Sequence, residues 1–182
     1  YRPGGKALLH RKTAEGKFPI DMAGEQYMKK VYEESDQDVG DSILPDFLKG
    51  NTTATYSLLI KELLMFGDKN LQHGKDALDD DVEKEYRDRQ LYWACVVDDA
   101  NHVSSALEAN AKSNAVGHAY KKQTPFHGAA RHGSIACLKL LLETKEAHLA
   151  IDKRDNDGNT PLLDCVRMSN FHEMFRTRNG EA

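Results

Sequence analysis

Thr124-Pro125-Phe126-His127-Gly128-Ala129-Ala130-Arg131-His132-Gly133 is the stretch whose reading decides the fold. The Thr124 hydroxyl suits a helix N-cap, where it accepts from backbone N–H groups that have no partner in the first turn. Pro125 suits the first helical position, where its missing N–H costs nothing. Ala129 and Ala130 are small enough to let this helix lie close to its neighbours, and Gly133 permits the left-handed backbone that stops it. Ile135, Cys137, Leu138, Leu140, Leu141 and Leu142 follow at helical spacing. Leu138, Leu141 and Leu142 are predicted to form the apolar stripe of a second, outer helix.

The pattern restarts 36 residues after Thr124, at Thr160-Pro161-Leu162-Leu163-Asp164-Cys165. Just before it, Asn156-Asp157-Gly158-Asn159 is a turn signal and predicts the tip of a projecting β-hairpin finger. An earlier, less regular unit reads Leu91-Tyr92-Trp93-Ala94-Cys95-Val96-Val97-Asp98, with Ala94 35 residues before Ala129. Val103, Ala106 and Leu107 continue that unit. Asn110 takes the helix-ending place, being the residue that best tolerates that backbone after Gly.

Thr124-Pro125-Phe126-His127-Gly128-Ala129 resembles the TPLHxA signature of the ankyrin repeat family, with Phe in place of Leu. Thr160 to Cys165 departs from it at the His and Ala positions. The 36-residue interval exceeds the roughly 33-residue ankyrin period, and the excess fits a longer connection through Lys145, Glu146 and Ala147. Gly16-Lys17-Phe18-Pro19-Ile20-Asp21-Met22-Ala23 resembles the related pattern GxTPLDxA, with Phe18 at the capping Thr. The resemblance covers about two-thirds of the chain and is specific over residues 123–166. It implies an all-α ankyrin-repeat solenoid, made of helix-turn-helix repeats with β-hairpin loops. It also implies that His127 bridges hydrogen bonds between neighbouring loops.

Three segments follow from this reading. Residues 1–35 form a degenerate ankyrin-like repeat, 36–87 an acidic insertion or divergent helical segment, and 88–182 about three repeats, the last incomplete. Within the middle segment, Ser57 to Phe66 predicts an apolar helix ending at Gly67. Asp76 to Asp88 holds seven acidic residues, which predicts a solvated loop running into a helix.

Composition narrows the function. The 182 residues include 25 Lys and Arg against 29 Asp and Glu, for a net charge of −4, so the overall field opposes nucleic acid as a general partner. The run Leu58 to Phe66 contains Lys61 and Glu62 and falls far short of the roughly 20 residues of a membrane span. Cys95, Cys137 and Cys165 show no CxxC spacing and are expected as small core residues of a reducing compartment, cytoplasmic or nuclear. Tyr1-Arg2-Pro3-Gly4-Gly5 has neither an initiator Met nor an apolar stretch, so a fragment of a longer chain is expected, with the array continuing beyond Ala182.

No residue pattern points to catalysis. His102, His118, His127, His132, His148 and His172 lack metal-site spacing, Asp79-Asp80-Asp81 lacks the remainder of a calcium loop, and no phosphate-binding glycine loop occurs. The chain is therefore expected to be no enzyme and to use no cofactor or metal. Stacked repeats supply a surface instead. Tyr120, Lys121, Lys122 and Gln123 are expected exposed on one finger and Lys153, Arg154, Asp155, Asn156, Asp157 and Asn159 on the next, with Arg131, His132, Arg167 and Met168 near inner-helix ends. This group is locally basic and predicts an acidic protein or peptide partner. The function expected is an intracellular adaptor or scaffold. The alternative is a regulatory ankyrin segment of a multidomain enzyme, such as an Arf GTPase-activating protein, or of a transcriptional regulator.

Overall fold

The computed structural model describes residues 9–36, 53–71, 80–118 and 121–167. They divide into two compact units, 1–83 and 84–182. Among the described residues the regular structure is helical, apart from one isolated antiparallel bridge between His118 and Gln123.

In the first unit, α1 spans Pro19–Asp36 and α2 spans Thr53–Leu71. Proline opens α1, and the Asp21 carboxylate accepts from the Phe18 backbone N–H at 3.0 Å, which satisfies a donor at the helix start. The two helices pack together. Phe18, Ile20, Ala23, Ile60 and Leu64 are buried in this unit. The start of α1 matches the expected repeat pattern, yet the helix runs 18 residues with no left-handed stop where an ankyrin inner helix would end. Gly67 does not end α2, which continues to Leu71, because a helix interior tolerates a single glycine at a cost of about 1 kcal/mol.

α3 spans Asp80–Val96, and the helices after it are shorter: α4 Ala100–Glu108, α5 Pro125–His132, α6 Ile135–Leu142 and α7 Ala147–Ala150, with residues 161–167 helical again. α3 is continuous across position 87, where the sequence reading placed a segment boundary. Its first turn carries Asp80, Asp81 and Glu83, which the positive end of the helix dipole favours, so from Asp80 on the acidic run opens a helix; residues 76–79 of that run lie outside the described residues.

From Arg89 to Val97 every residue is buried. Helices α4 and α6 pack side by side, and α5 packs on α6. Three left-handed residues set the repeat's corners: Asp98 at φ 53°, Asn110 at φ 66° and Gly133 at φ 68°. Asn110 and Gly133 stand where the sequence predicted them. Asp98 ends α3 in the slot that Gly133 fills 35 residues later, and Asp99 then caps α4 by accepting from His102 N–H at 3.2 Å.

The outer-helix stripe differs from expectation. Cys137 and Leu141 are fully buried, whereas Leu142 is 53% exposed, because α6 turns a narrow face inward. Cys165 is also exposed, unlike Cys95 and Cys137. Helix 161–167 presents Leu162, Leu163, Cys165 and Val166 outward and buries Pro161 and Asp164.

Among the described residues the loops form no strand pairing beyond the single His118–Gln123 bridge, so the expected β-hairpin fingers are turns. Asp155 organises the second one: its Oδ1 accepts from Asp157 N–H and Asn159 N–H, each at 2.9 Å, and Gly158 at φ 78° completes the reversal. Its carboxylate thus does work that a ladder would do in a longer finger. No helix among the described residues is long and apolar enough to cross a membrane.

Candidate functional site

A chain of buried polar contacts runs through the repeats and is centred on Gln123. The Tyr92 hydroxyl on α3 donates to Gln123 Oε1 at 3.0 Å, and Gln123 Nε2 donates to Asp155 Oδ2 at 3.0 Å and to Asp164 Oδ2 at 3.2 Å. Gln123 therefore joins three successive repeats. It was read as an exposed finger residue, but its side chain is buried. A buried amide must be satisfied on both its oxygen and its nitrogen, and here neighbours in sequence-distant repeats do so.

His127 makes the parallel bridge one repeat on. Its Nδ1 accepts from Thr124 N–H at 3.2 Å, which fixes the proton on Nε2, and Nε2 donates to the Asn159 carbonyl at 3.1 Å. Thr124 and His127 thereby close a capping box at the head of α5, and the ring also reaches the next loop. Thr160 opens helix 161–167 more simply, its hydroxyl accepting from Leu163 N–H at 3.4 Å.

His127, Asp155 and Asp164 bring one ligand-type atom each to within 4.8 Å of one another. Both His127 ring nitrogens are committed, and Asp155 already receives three N–H donors. A cation would have to displace bonds that hold the repeats together. The cluster is a structural network.

Burial disfavours ionisation of Asp155, yet the hydrogen bonds from Gln123, Asn159 and Asp157 outweigh it and hold the carboxyl below its ordinary range. Asp164 goes the other way. Burial raises it, Arg131 counteracts part of the rise, and Asp155 adds to it. One firmly ionised carboxylate and one more readily protonated one thus share the Gln123 amide.

Above this network lies a cleft of about 270 Å³ lined by Lys121, Arg131, Asp155, Asp157, Asn159, Asp164 and Arg167. Asp155 and Asp164 are buried, Lys121 and Arg131 are half-exposed, and Asp157 and Arg167 are exposed. Lys121 Nζ lies 3.4 Å from the Asp157 carboxylate, and Arg167 Nη1 donates to Asn159 Oδ1 at 2.8 Å. A guanidinium has five N–H donors, so this bond leaves Arg167 able to grip an incoming acceptor. The group read as locally basic is balanced in formal charge within the cleft, with guanidinium donors nearer its mouth.

The structure brings Lys121, Arg131, Asp155, Asn159 and Arg167 together at the cleft. Lys122, Arg154 and Asn156 are exposed on the turns; the Arg154 guanidinium donates to the Gly158 carbonyl at 3.1 Å, and Asn156 N–H to the Lys121 carbonyl at 3.0 Å. Asp155, expected as an exposed finger residue, is buried because it organises its own turn. His132 is half-buried, and burial together with the neighbouring Arg131 lowers its pKa to about 4. Tyr120 and Met168 lie outside the described residues. His118 packs its ring against Tyr92 and Trp93 at 5.7 and 5.8 Å between centroids.

Sequence reasoning gave Tyr92, Gln123 and Asp164 no role in joining the repeats. The signal for Tyr92 was its place 35 residues before His127, and for Gln123 its place immediately before Thr124, as Asn159 precedes Thr160. Asp164 was legible as a carboxylate at the position of an apolar helix that faces the core. Residues 91–177 match the family model for ankyrin repeats (3 copies).

Proposed function

From the premise that residues 91–177 of this chain are ankyrin repeats, we propose that it acts as an adaptor or scaffold and docks an acidic segment of a partner protein at the cleft. Ankyrin repeats are generally protein–protein interaction modules. The observation that carries the reading is the placement of the two guanidinium groups: Asp155 and Asp164 are held inside by Gln123 and the exposed Asp157 carboxylate lies 3.4 Å from Lys121 Nζ, while Arg131 and Arg167 stand nearer solvent than the two buried acids. A carboxylate entering from solvent meets guanidinium groups before it meets buried acid, and paired N–H donors suit its two oxygens. The chemistry is recognition without catalysis, in a reducing cytoplasmic or nuclear compartment.

The test uses the full chain, with Asp/Glu-rich and Lys/Arg-rich peptide sets read by fluorescence anisotropy at low and high salt. The acidic set is expected to bind, with Arg167→Glu weakening it by about tenfold, equivalent to about 1.4 kcal/mol, and with added salt weakening it further. Equal retention of both sets, or an Arg167→Glu variant that binds the acidic set unchanged, would remove the cleft from the reading.

A further inference from the structure

The two helices of the first unit present different outward faces. On α1, between positions 19 and 31, the exposed residues are Met22, Gln26 and Lys29, a face that is polar apart from its first member. On α2, which turns Ile60 and Leu64 into the core of the unit, the exposed residues include Leu58 at 60%, Leu59 at 45% and Met65 at 40%. Leu58 and Met65 stand two turns apart on one line along the helix, on the side away from Ile60 and Leu64. The solvent face of a helix is ordinarily polar, and an apolar stripe left outside marks a surface that something else covers. A core made by one pair of helices, 18 and 19 residues long, is small, and oligomerisation is a usual way in which so small a core is completed.

We propose that the Leu58–Met65 face of α2 is a dimer interface whose occupant is the same face of a second copy of this chain, with the two α2 helices parallel. The charges beside the stripe select this occupant. Lys61 is three residues on from Leu58 and four before Met65, so it falls on one side of their line. Glu62 is four on from Leu58 and three before Met65, so it falls on the other side. Lys61 is half-exposed and Glu62 exposed, which leaves both able to reach across. A two-fold axis running along the helices brings Leu58 to the partner's Leu58 and Met65 to the partner's Met65. It also sets the Lys61 side of each helix against the Glu62 side of the other, so an ammonium meets a carboxylate on both edges of the stripe. A single patch that complements itself in this way is what a two-fold interface requires. Antiparallel helices would instead place Lys61 beside the partner's Lys61 and Glu62 beside the partner's Glu62, and like charges there oppose that pairing.

The experiment is sedimentation velocity on the full chain at low salt, over concentrations of about 1–100 µM. The expected result is a monomer that gives way to a dimer as the concentration rises. Leu58→Gln, at a position already exposed, is expected to weaken the dimer by about tenfold or more while leaving the circular dichroism unchanged. Lys61→Glu, which sets a carboxylate against the partner's Glu62 on both edges, is expected to weaken it several-fold, and the double variant Lys61→Glu with Glu62→Lys to restore it. Leu162→Gln, on the exposed apolar helix of the other unit, is expected to leave the dimer as it was. A chain that stays monomeric throughout, or a dimer that Leu58→Gln leaves intact and Leu162→Gln abolishes, overturns the proposal. A double variant no stronger than Lys61→Glu alone overturns the parallel pairing. The charge pair decides the matter should Leu58→Gln lose helix content, since neither exchange touches the core of the unit.

Discussion

The first and second repeats do the same jobs with different residues. Where the second has Thr124, His127 and Gly133, the first has Arg89, Tyr92 and Asp98 at positions 35 residues earlier. Tyr92 reaches across to Gln123 as His127 reaches across to Asn159, and both acceptors sit immediately before the helix start of the following unit. Asp98 bends left-handed as Gly133 does. Arg89, which cannot cap as a threonine does, instead donates to the Gly117 carbonyl at 3.0 Å. The lesson is that stacking imposes a set of tasks, namely one donor across each joint and one left-handed corner per hairpin, and that several side chains can perform each.

The comparison can be broken most severely at Gly117. A Cβ there would lie 2.1 Å from Tyr92 Cβ and 2.7 Å from its Cγ, so the first joint depends on the absence of a side chain in a way that the second does not. Gly117→Ala is expected to cost about 3 kcal/mol or more in urea unfolding, the upper range for overpacking. Recovery of stability in a second-site Tyr92→Ala background would show that the clash is the cause.

Truncation of the two bridges sharpens the parallel. His127→Ala removes a cap, a joint and ring volume together and is expected to cost about 3 kcal/mol. Tyr92→Phe removes a single hydroxyl from a buried amide and is expected to cost about 1–2 kcal/mol by the same measurement. Equal losses would mean that the capping half of the His127 role contributes nothing.

The corners test the backbone alone. Nothing lies within 4 Å of a Cβ added at Gly133, so Gly133→Val probes its positive φ without a clash and is expected to cost about 2 kcal/mol. Asp98→Gly relieves the equivalent strain and is expected to change stability by less than about 1 kcal/mol. Thermal melts of the two variants check the pair.

Histidine 132 gives a pH dependence that the first repeat lacks. Its folded pKa of about 4 lies below the ordinary histidine value of 6.5, so the unfolded chain binds the proton more readily. Its contribution to stability is complete above about pH 6.5 and is lost as the pH falls toward 4. A His132→Gln variant is expected to show a shallower fall in Tm across that window. The smallest effect is expected at Arg154→Glu. The residue is exposed, so the Tm should move within the range of an ordinary surface change, about 0.5 kcal/mol or less.

Most of the second repeat was legible because its signals are local. Thr124, Pro125 and Gly133 act on their own backbone, and Asn110 does the same. The first repeat was harder to read, because Asp98 and Tyr92 do not look like the residues whose tasks they perform. In the N-terminal unit the Pro19 start was legible but the length of α1 was not, since helix continuation depends on packing against α2 and no local stop intervenes. For the cleft, the cationic members were visible as a group, but the burial of Asp155 and Asp164 was not, because both carboxylates meet a Gln123 amide that only stacking brings to them.

The amino-acid sequence by itself determined the helix starts, the left-handed corners at Asn110 and Gly133, and the 36-residue restart at Thr160, all of which follow from the preferences of a few adjacent residues. Tertiary structure alone decided that Gln123 is a buried hub and that two carboxylates, Asp155 and Asp164, lie buried in a cleft that Arg131 and Arg167 also line. The physical reason is range. A cap or a turn is fixed within four residues, whereas a buried polar group is placed by partners that only stacking brings near, and their pairing depends on a register set by every helix between them.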